Sequence, residues 1–560
     1  MTTRFWLEEI QFSDNTKIPL AKDDIVVFVG PNNAGKSATL KEAVELIKSK
    51  HSKTKVLKNI KIYREGKESQ LLDFIEKNSR KTYAGKDIIY DGFGFGFYQS
   101  VGLNRWNSYA EGIDDLFPIF ANHLSTEKRL TAANPAQNIR LTTEAMKHPI
   151  HFLQKDDLME QNFSNYFRQA FGKDLIIHHN AGEIVPFYVG DKPTLRNGED
   201  RISFGYLTEL EKLDLLNEQG DGMRSFVGVL LNVFVLKYSM IFIDEPEAFL
   251  HPPQARLLGK MLAKDLPKDR QLFLATHSES FLKGLLDANV LNLKIVRIQR
   301  EGNVNRVSVL DSKEINKIWE DSLLRHSNIL DGLFHSKVVI CESDSDSRFF
   351  SAVLSALYDN TGDIAPDILF INCGGKHRIP TAIKALKKLN VPIKVVADFD
   401  VLNDTNPLKE IFEDLGGTWN NVQSDWKLVK KEIEQKRPEF LTTDVKKEFD
   451  EIISSTKEKI FPKEKINAIQ KILKKASAWS EAKEVGKAFI PSGNASQAFD
   501  RIQIKFEEKG LLVLEVGELE SFVKSLGNHG PKWVSEVLTK DLKMDKELDA
   551  ARQFVTKFFN

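Results

Sequence analysis

Ile25-Val-Val-Phe-Val29-Gly30-Pro-Asn-Asn-Ala-Gly35-Lys36-Ser37 decides the fold of the first half of the chain. Five apolar residues read as a buried strand, GxxxxGKS follows, and a helical pattern runs from Ala38 to about Lys48. Each fixed position has a chemical reason. Gly30 and Gly35 let the backbone wrap a phosphate, and amide N–H groups at the helix start face its oxygens. Lys36 neutralises the β/γ charge and Ser37 reaches Mg²⁺. Asn33 and Ala38 complete the candidate nucleotide-binding set.

Further along, Met240-Ile-Phe-Ile-Asp244-Glu245-Pro246 supplies what a phosphate loop needs. Asp244 would hold Mg²⁺, partly through water, and Glu245 would act as general base on the attacking water. Leu272-Phe-Leu-Ala-Thr276-His277-Ser278 then places a histidine just past a buried strand, where it can contact a γ-phosphate or that water. Gln219-Gly220-Asp-Gly222-Met-Arg-Ser225 opens a helix, so Gly220 and Gly222 allow close approach of an anion there; a capping turn is the other reading of the same residues.

The strand rhythm continues through Val338–Cys341, Ile368–Ile371 and Ile393–Ala397, each followed by turn or acidic residues, which indicates βαβ units and parallel sheets. With 560 residues the chain should hold about three folded units, or two large ones, at roughly 100–200 residues per domain. Lys plus Arg and Asp plus Glu are 79 each, so no global basic excess draws it to nucleic acid and any such binding needs a local patch. Two cysteines, Cys341 and Cys373, exclude a disulfide scaffold and a four-cysteine zinc site. The start lacks an apolar signal core and the Phe226–Ile243 run is interrupted by Asn232 and Lys237, so a cytoplasmic protein without a membrane span is expected. Two stretches break the rhythm: about 50–205, read as an insertion with its own small fold, and about 407–497, a Lys/Glu-rich helical insertion. The boundary between halves is expected between Ser312 and Ser336.

The second half carries carboxylates at strand ends. Glu342 follows Val338–Cys341, Asp346 lies at the start of the next helix, and Asp398-Phe-Asp400 follows Ile393–Ala397, with Asp404 just beyond. Residues two apart in a strand share a face, so Asp398 and Asp400 should point together. Such acids repel unless cations neutralise them, and oxygen ligands without His or Cys select Mg²⁺ or Mn²⁺. Two such ions can activate water and stabilise the leaving oxygen of a phosphodiester. Lys384, Lys387 and Lys388, or Lys474–Lys475, are candidate strand contacts, with a solvated helix face as the plain reading.

The loop, the Asp-Glu strand and the strand-Thr-His, with Asp244–Pro252, resemble ABC-type ATPase heads. That resemblance implies a second head whose Gly220–Arg224 segment completes the site, although the wording departs from LSGGQ, and a Q-loop residue for which Gln99 is the candidate. Glu342, Asn372-Cys-Gly374-Gly375-Lys376 and Asp398–Asp400 resemble a TOPRIM domain, with Ser343 where a glycine is usual. Leu511–Glu520 resembles the late Leu-x-x-Gly-x-Leu-Glu stretch of TOPRIM nucleases; this implies Glu520 as a further metal acid, with Glu518 behind it, and Lys532 as the late electrophilic lysine. The combination is similar to the OLD (overcoming lysogenisation defect) family. It implies an α/β chain with an ABC-type P-loop ATPase domain over 1–325 and a TOPRIM nuclease domain over 326–560, closing in helices from about 526. It also implies ATP and Mg²⁺ or Mn²⁺ as cofactors, DNA as substrate, dimerisation through the heads, and for some members a helicase or a retron reverse transcriptase with its DNA. A rival reading is a sensor or scaffold subunit of a defence complex with an inactive TOPRIM site. A topoisomerase lacks a Tyr-nucleophile domain here, and a primase has no role for the ATPase head.

Overall fold

The computed structural model describes residues 3–302, 304–310, 328–436, 441–475 and 478–559, with a few positions between 311 and 327. The expected boundary stretch therefore lies largely outside the described residues. The chain divides into two compact units, Met1–Arg325 and His326–Asn560.

The first unit is built on a six-stranded sheet with spatial order Val304–Leu310, Leu293–Glu301, Ile25–Val29, Gln271–Ala275, Met240–Asp244, Ala121–Leu124. The first pair is antiparallel and the rest are parallel. Every residue of Ile25–Val29 is buried, as an unbroken β-branched and aromatic run requires in a central strand covered on both faces. Helix Lys36–Lys48 lays Leu40, Ala43, Val44 and Ile47 against it, a stripe at three- and four-residue spacing. Phe242 and Phe273 stack at 4.6 Å between adjacent strands, each worth about 2 kcal/mol of burial.

The stretch 50–205 is not one insertion. Leu57–Glu65 pairs antiparallel with Arg4–Phe12, and Ala121–Leu124 extends the main sheet beside Met240–Ile243; both belong to the core of the first unit. Phe5 meets Trp106 and Phe120 at 5.0 Å each, tying that stretch to the chain's start. Separate small sheets remain: Ser79–Ala84, Asp87–Gly92 and Phe95–Tyr98 form one, and Asp174–Ile177, Phe187–Gly190 and Asp214–Leu215 another. The Phe226–Ile243 run is the buried part of helix Asp221–Leu230, a π turn over Leu231–Val235, and the strand Met240–Asp244.

The second unit has a four-stranded parallel sheet, Ile368–Asn372, Lys337–Cys341, Ile393–Ala397, Leu511–Val513 in spatial order. Helix Asp344–Tyr358 covers it through Phe349 and Phe350, which pack on Phe522, Trp533 and Phe554. The Lys/Glu-rich stretch forms successive helices from Thr405–Asp414 to Asn494–Glu508. No helix among the described residues is long and apolar enough to cross a membrane.

Candidate functional site

The phosphate loop adopts a conformation its glycines require. Gly30 has φ +146°, and a Cβ there would lie 2.0 Å from the Ile298 carbonyl oxygen. Gly35, at φ +101°, is the N-cap of Lys36–Lys48. Lys36 Nζ donates to the carbonyls of Gly30 at 2.8 Å and Pro31 at 2.9 Å, which holds the ammonium over the loop. Ser37 Oγ donates to Asp244 Oδ1 at 2.9 Å, so the two groups expected at Mg²⁺ meet directly across 207 residues of sequence. Glu245 sits at φ +49°, its N–H donates to the Ala275 carbonyl, and its Oε1 lies 3.2 Å from His277 Nδ1. A cavity of about 700 Å³ is lined by Asn33, Gly35, Lys36, Ser37, Ala38, Glu245 and His277, with Arg300 and Asn305. That volume is in the range of ligand pockets.

Two residues that the sequence reading missed set this geometry. Arg129, fully buried, donates to the carbonyls of Asp244 at 2.8 Å and Glu245 at 2.5 Å and to Thr126 Oγ1. It thereby braces the turn that carries the two acids. Burial pulls its pKa down, against the nearby charges of Glu247, Asp244 and Glu245. Glu247, also buried, accepts from Thr276 Oγ1 at 2.6 Å and from the His277 N–H at 3.4 Å. In sequence, Arg129 lies in Thr-Glu-Lys-Arg-Leu-Thr and looks like an ordinary charge on a wet helix face.

Gly220 caps helix Asp221–Leu230, and Gly222 lies so close to the Phe249 carbonyl that a Cβ would sit 2.7 Å from it. Neither lines the nucleotide cavity of its own chain. Gln99 begins helix Gln99–Asn107 and accepts from the Tyr90 hydroxyl at 3.1 Å, also outside that cavity.

In the second unit, Glu342 and Asp398 each stand one residue past a strand, and those strands are paired neighbours. Asp398 and Asp400 converge by a route other than the one expected. The strand stops at Ala397, Asp398 is the N-cap, and Asp400 lies in the 3-10 turn Phe399–Asn403. Asp346 is the third residue of helix Asp344–Tyr358 rather than a cap. Ser343 is the cap: its N–H and Oγ donate to Asp346 Oδ2 at 2.8 and 2.9 Å, and its Oγ accepts from the Asp346 N–H at 3.4 Å. The serine in the glycine position thus orients a buried acid.

Electrostatics show how crowded the acids are. Asp398 is pushed up to about 8, by burial first, with Asp346 and Glu342 adding and Lys483 opposing. Burial also raises Glu342, with Asp400's charge next, and raises Asp346, with Glu520 contributing. Glu518 rises through burial and the charge of Glu520. Glu342 Oε2 and Asp400 Oδ1 are buried without a hydrogen-bond partner among the described residues. Glu520 Oε1 accepts from the Gly530 N–H at 2.6 Å, and single ligand atoms of Glu518, Glu520 and His529 lie within 4.8 Å of one another. Two buried, unpartnered carboxylate oxygens, Glu342 Oε2 and Asp400 Oδ1, suit a hard divalent cation.

The lysines differ from expectation. Lys532 is exposed in the first turn of Pro531–Val537 and joins no ion pair with these acids among the described residues. Lys483, from helix Ala478–Val485 of the helical insertion, lies 3.0 Å from Asp398, 3.9 Å from Asp400 and 3.8 Å from Glu518. Lys376 reaches Asp400 at 3.3 Å and Asp404 at 2.6 Å. Lys384 pairs with Asp414 at 3.4 Å, while Lys387 and Lys388 are exposed. The side chains of Lys474 and Lys475 lie outside the described residues.

A phosphate-loop ATPase domain followed by a TOPRIM domain is the class that the fold and the two sites define. The family model described as "AAA domain, putative AbiEii toxin, Type IV TA system" matches residues 103–283, and "Overcoming lysogenization defect protein-like, TOPRIM domain" matches 333–400. The two matches fall in that order along the chain. The chain is 29% identical over 178 residues to the OLD nuclease of Thermus scotoductus, covering 30% of this chain and 31% of that one. It is 26% identical over 177 residues to the Old nuclease of Escherichia phage P2, covering 30% and 28%. The matched segments thus span less than a third of either relative. The SMC head domain from Thermotoga maritima aligns at 12% identity and a TM-score of 0.28, covering 56% of this chain and all of that one.

Proposed function

We propose that this chain is an ATP-regulated, divalent-metal-dependent DNA endonuclease of the OLD type, acting in anti-phage defence. The observation that carries the reading is the acid cluster of the second unit, where Glu342 Oε2 and Asp400 Oδ1 are buried and unpartnered and Asp398 is pushed up to about 8. A fold that gathers acids without enough cations is built to receive them. Glu342, Asp346, Asp398, Asp400 and Glu520 would hold Mg²⁺ or Mn²⁺, which when bound supplies an activated water and stabilises the leaving oxygen of a backbone phosphate. Ser343 orients Asp346, and Gly530 fixes Glu520.

In the first unit, Lys36 and the loop amides would hold the ATP phosphates, Ser37 and Asp244 would hold its Mg²⁺, and Asn33, Gly35 and Ala38 line the cavity. Glu245 takes the proton of the attacking water, with His277 beside it. Gly220 and Gly222, outside the cavity of their own chain, serve the nucleotide of a second copy in a homodimer. The inactive-scaffold alternative gains nothing from Ser343, which orients an acid instead of disabling the turn.

The test is plasmid cleavage by the full chain with Mg²⁺ or Mn²⁺. Asp400→Ala should abolish cleavage and leave ATP binding intact. Equal cleavage by that variant overturns the assignment.

A further inference from the structure

The helical insertion delivers an ammonium into the middle of the acid cluster. Lys483 Nζ lies within 4 Å of Asp398, Asp400 and Glu518 at once. Its backbone is clamped from both sides. Gly517 has φ +116°, and a Cβ there would lie 2.2 Å from the Lys483 carbonyl oxygen. Gly486 has φ +66°, and a Cβ there would lie 2.2 Å from the Glu515 carbonyl oxygen. The Lys487 N–H donates to the Glu515 carbonyl at 2.8 Å, and Ser521 Oγ donates to the Glu484 carbonyl at 2.9 Å. The segment 483–487 is therefore laced to the loop bearing Glu518 and Glu520, and two positive-φ glycines make room for it. A long flexible side chain on so fixed a stem is aimed by its backbone.

We propose that Lys483 is a positioning residue that acts as the resident counter-cation of this cluster, holding Asp398, Asp400 and Glu518 together and competing with the divalent metal for them. The inference rests on the metal site proposed above. An ammonium and a divalent ion repel at these distances, so loading the metal must move Lys483 aside, and every metal-binding event works against its close contacts with these three carboxyl groups. Lys376 does not take this part, since among the described residues it pairs with Asp404 and Asp400 and reaches neither Asp398 nor Glu518.

Two measurements on the full chain test it. Mn²⁺ binding, followed by electron paramagnetic resonance of the free ion, should be tighter in Lys483→Met by about tenfold, because the competitor is gone, and Lys483→Arg should restore weak binding. A merely structural lysine predicts weaker binding or none. In the wild type, acetylation of Lys483 by an amine-reactive reagent, read by peptide mass mapping, should be slow without metal and several-fold faster with Mn²⁺. This arm does not depend on a variant that folds. Unchanged or weaker Mn²⁺ binding in Lys483→Met, or labelling indifferent to Mn²⁺, overturns the proposal. If the wild type binds no Mn²⁺ that Asp400→Ala removes, the metal-site reading itself has failed.

Discussion

Replacing Asp398 with Asn should stabilise the metal-free protein. Asp398 is 16% exposed, and its carboxyl is raised from 3.8 to about 8 by burial, Asp346 and Glu342. At pH 7 the unfolded chain ionises this group while the fold keeps it protonated. Stability contributed by such a raised acid is greatest below its unfolded value and is lost as pH rises toward about 8. The cost to the wild-type fold is about 4 kcal/mol at pH 7 and roughly 1.6 kcal/mol at pH 5. Asparagine removes that cost but gives up the charge-assisted bond to Lys483, worth about 1.5–3 kcal/mol. The net gain is about 1–3 kcal/mol at pH 7, roughly 5 °C in melting temperature, and at pH 5 it falls to between nil and a loss of about 1.4 kcal/mol. Scanning fluorimetry of both proteins in EDTA at the two pH values reads this directly. Adding Mn²⁺ should reverse the order, because the wild type then gains binding free energy that the variant lacks. A variant that melts at or below the wild type in EDTA at pH 7, or whose advantage grows toward pH 5, would refute the reasoning.

Two further outcomes follow from the same geometry. Glu245→Gln should keep ATP bound but slow phosphate release by about 10²–10³-fold, since the base beside His277 is lost while Lys36, Ser37 and Asp244 remain. Gly517→Ala would place a Cβ 2.2 Å from the Lys483 carbonyl at a φ of +116°; it should cost about 1–3 kcal/mol of stability in a thermal melt and lower DNA cleavage more than it lowers ATP turnover.

Much of the scaffold is legible in the sequence because parallel strands covered on both faces read as unbroken apolar runs. Ile25–Val29, Met240–Ile243, Leu272–Ala275, Val338–Cys341, Ile368–Ile371 and Ile393–Ala397 all lie in parallel-paired strands of the two main sheets. Ala121–Leu124 escapes that signal because an edge strand needs no such run and this one carries Asn122 and His123. Arg4–Phe12 and Leu57–Glu65 form an antiparallel pair whose alternation is blurred by a register shift between Leu7 and Glu9. At the acid cluster, the residues next to strands were readable, because a strand end fixes where a carboxylate goes. Lys483 was not, because one lysine among many on Lys/Glu-rich helices has no local signature; the tertiary approach of Gly517 to its backbone and of three acids to its ammonium singles it out. The same reason hides Arg129, whose burial depends on Gly228 approaching its carbonyl, where a Cβ would sit 2.1 Å away.

The most direct test is an X-ray structure of the full chain soaked in Mn²⁺, with anomalous differences measured at the manganese edge. Anomalous density is expected among Glu342, Asp398 and Asp400, with a second peak about 4 Å away toward Asp346 and Glu520. Manganese found only at Ser37 and Asp244, with the acid cluster still closed around Lys483, would contradict that expectation.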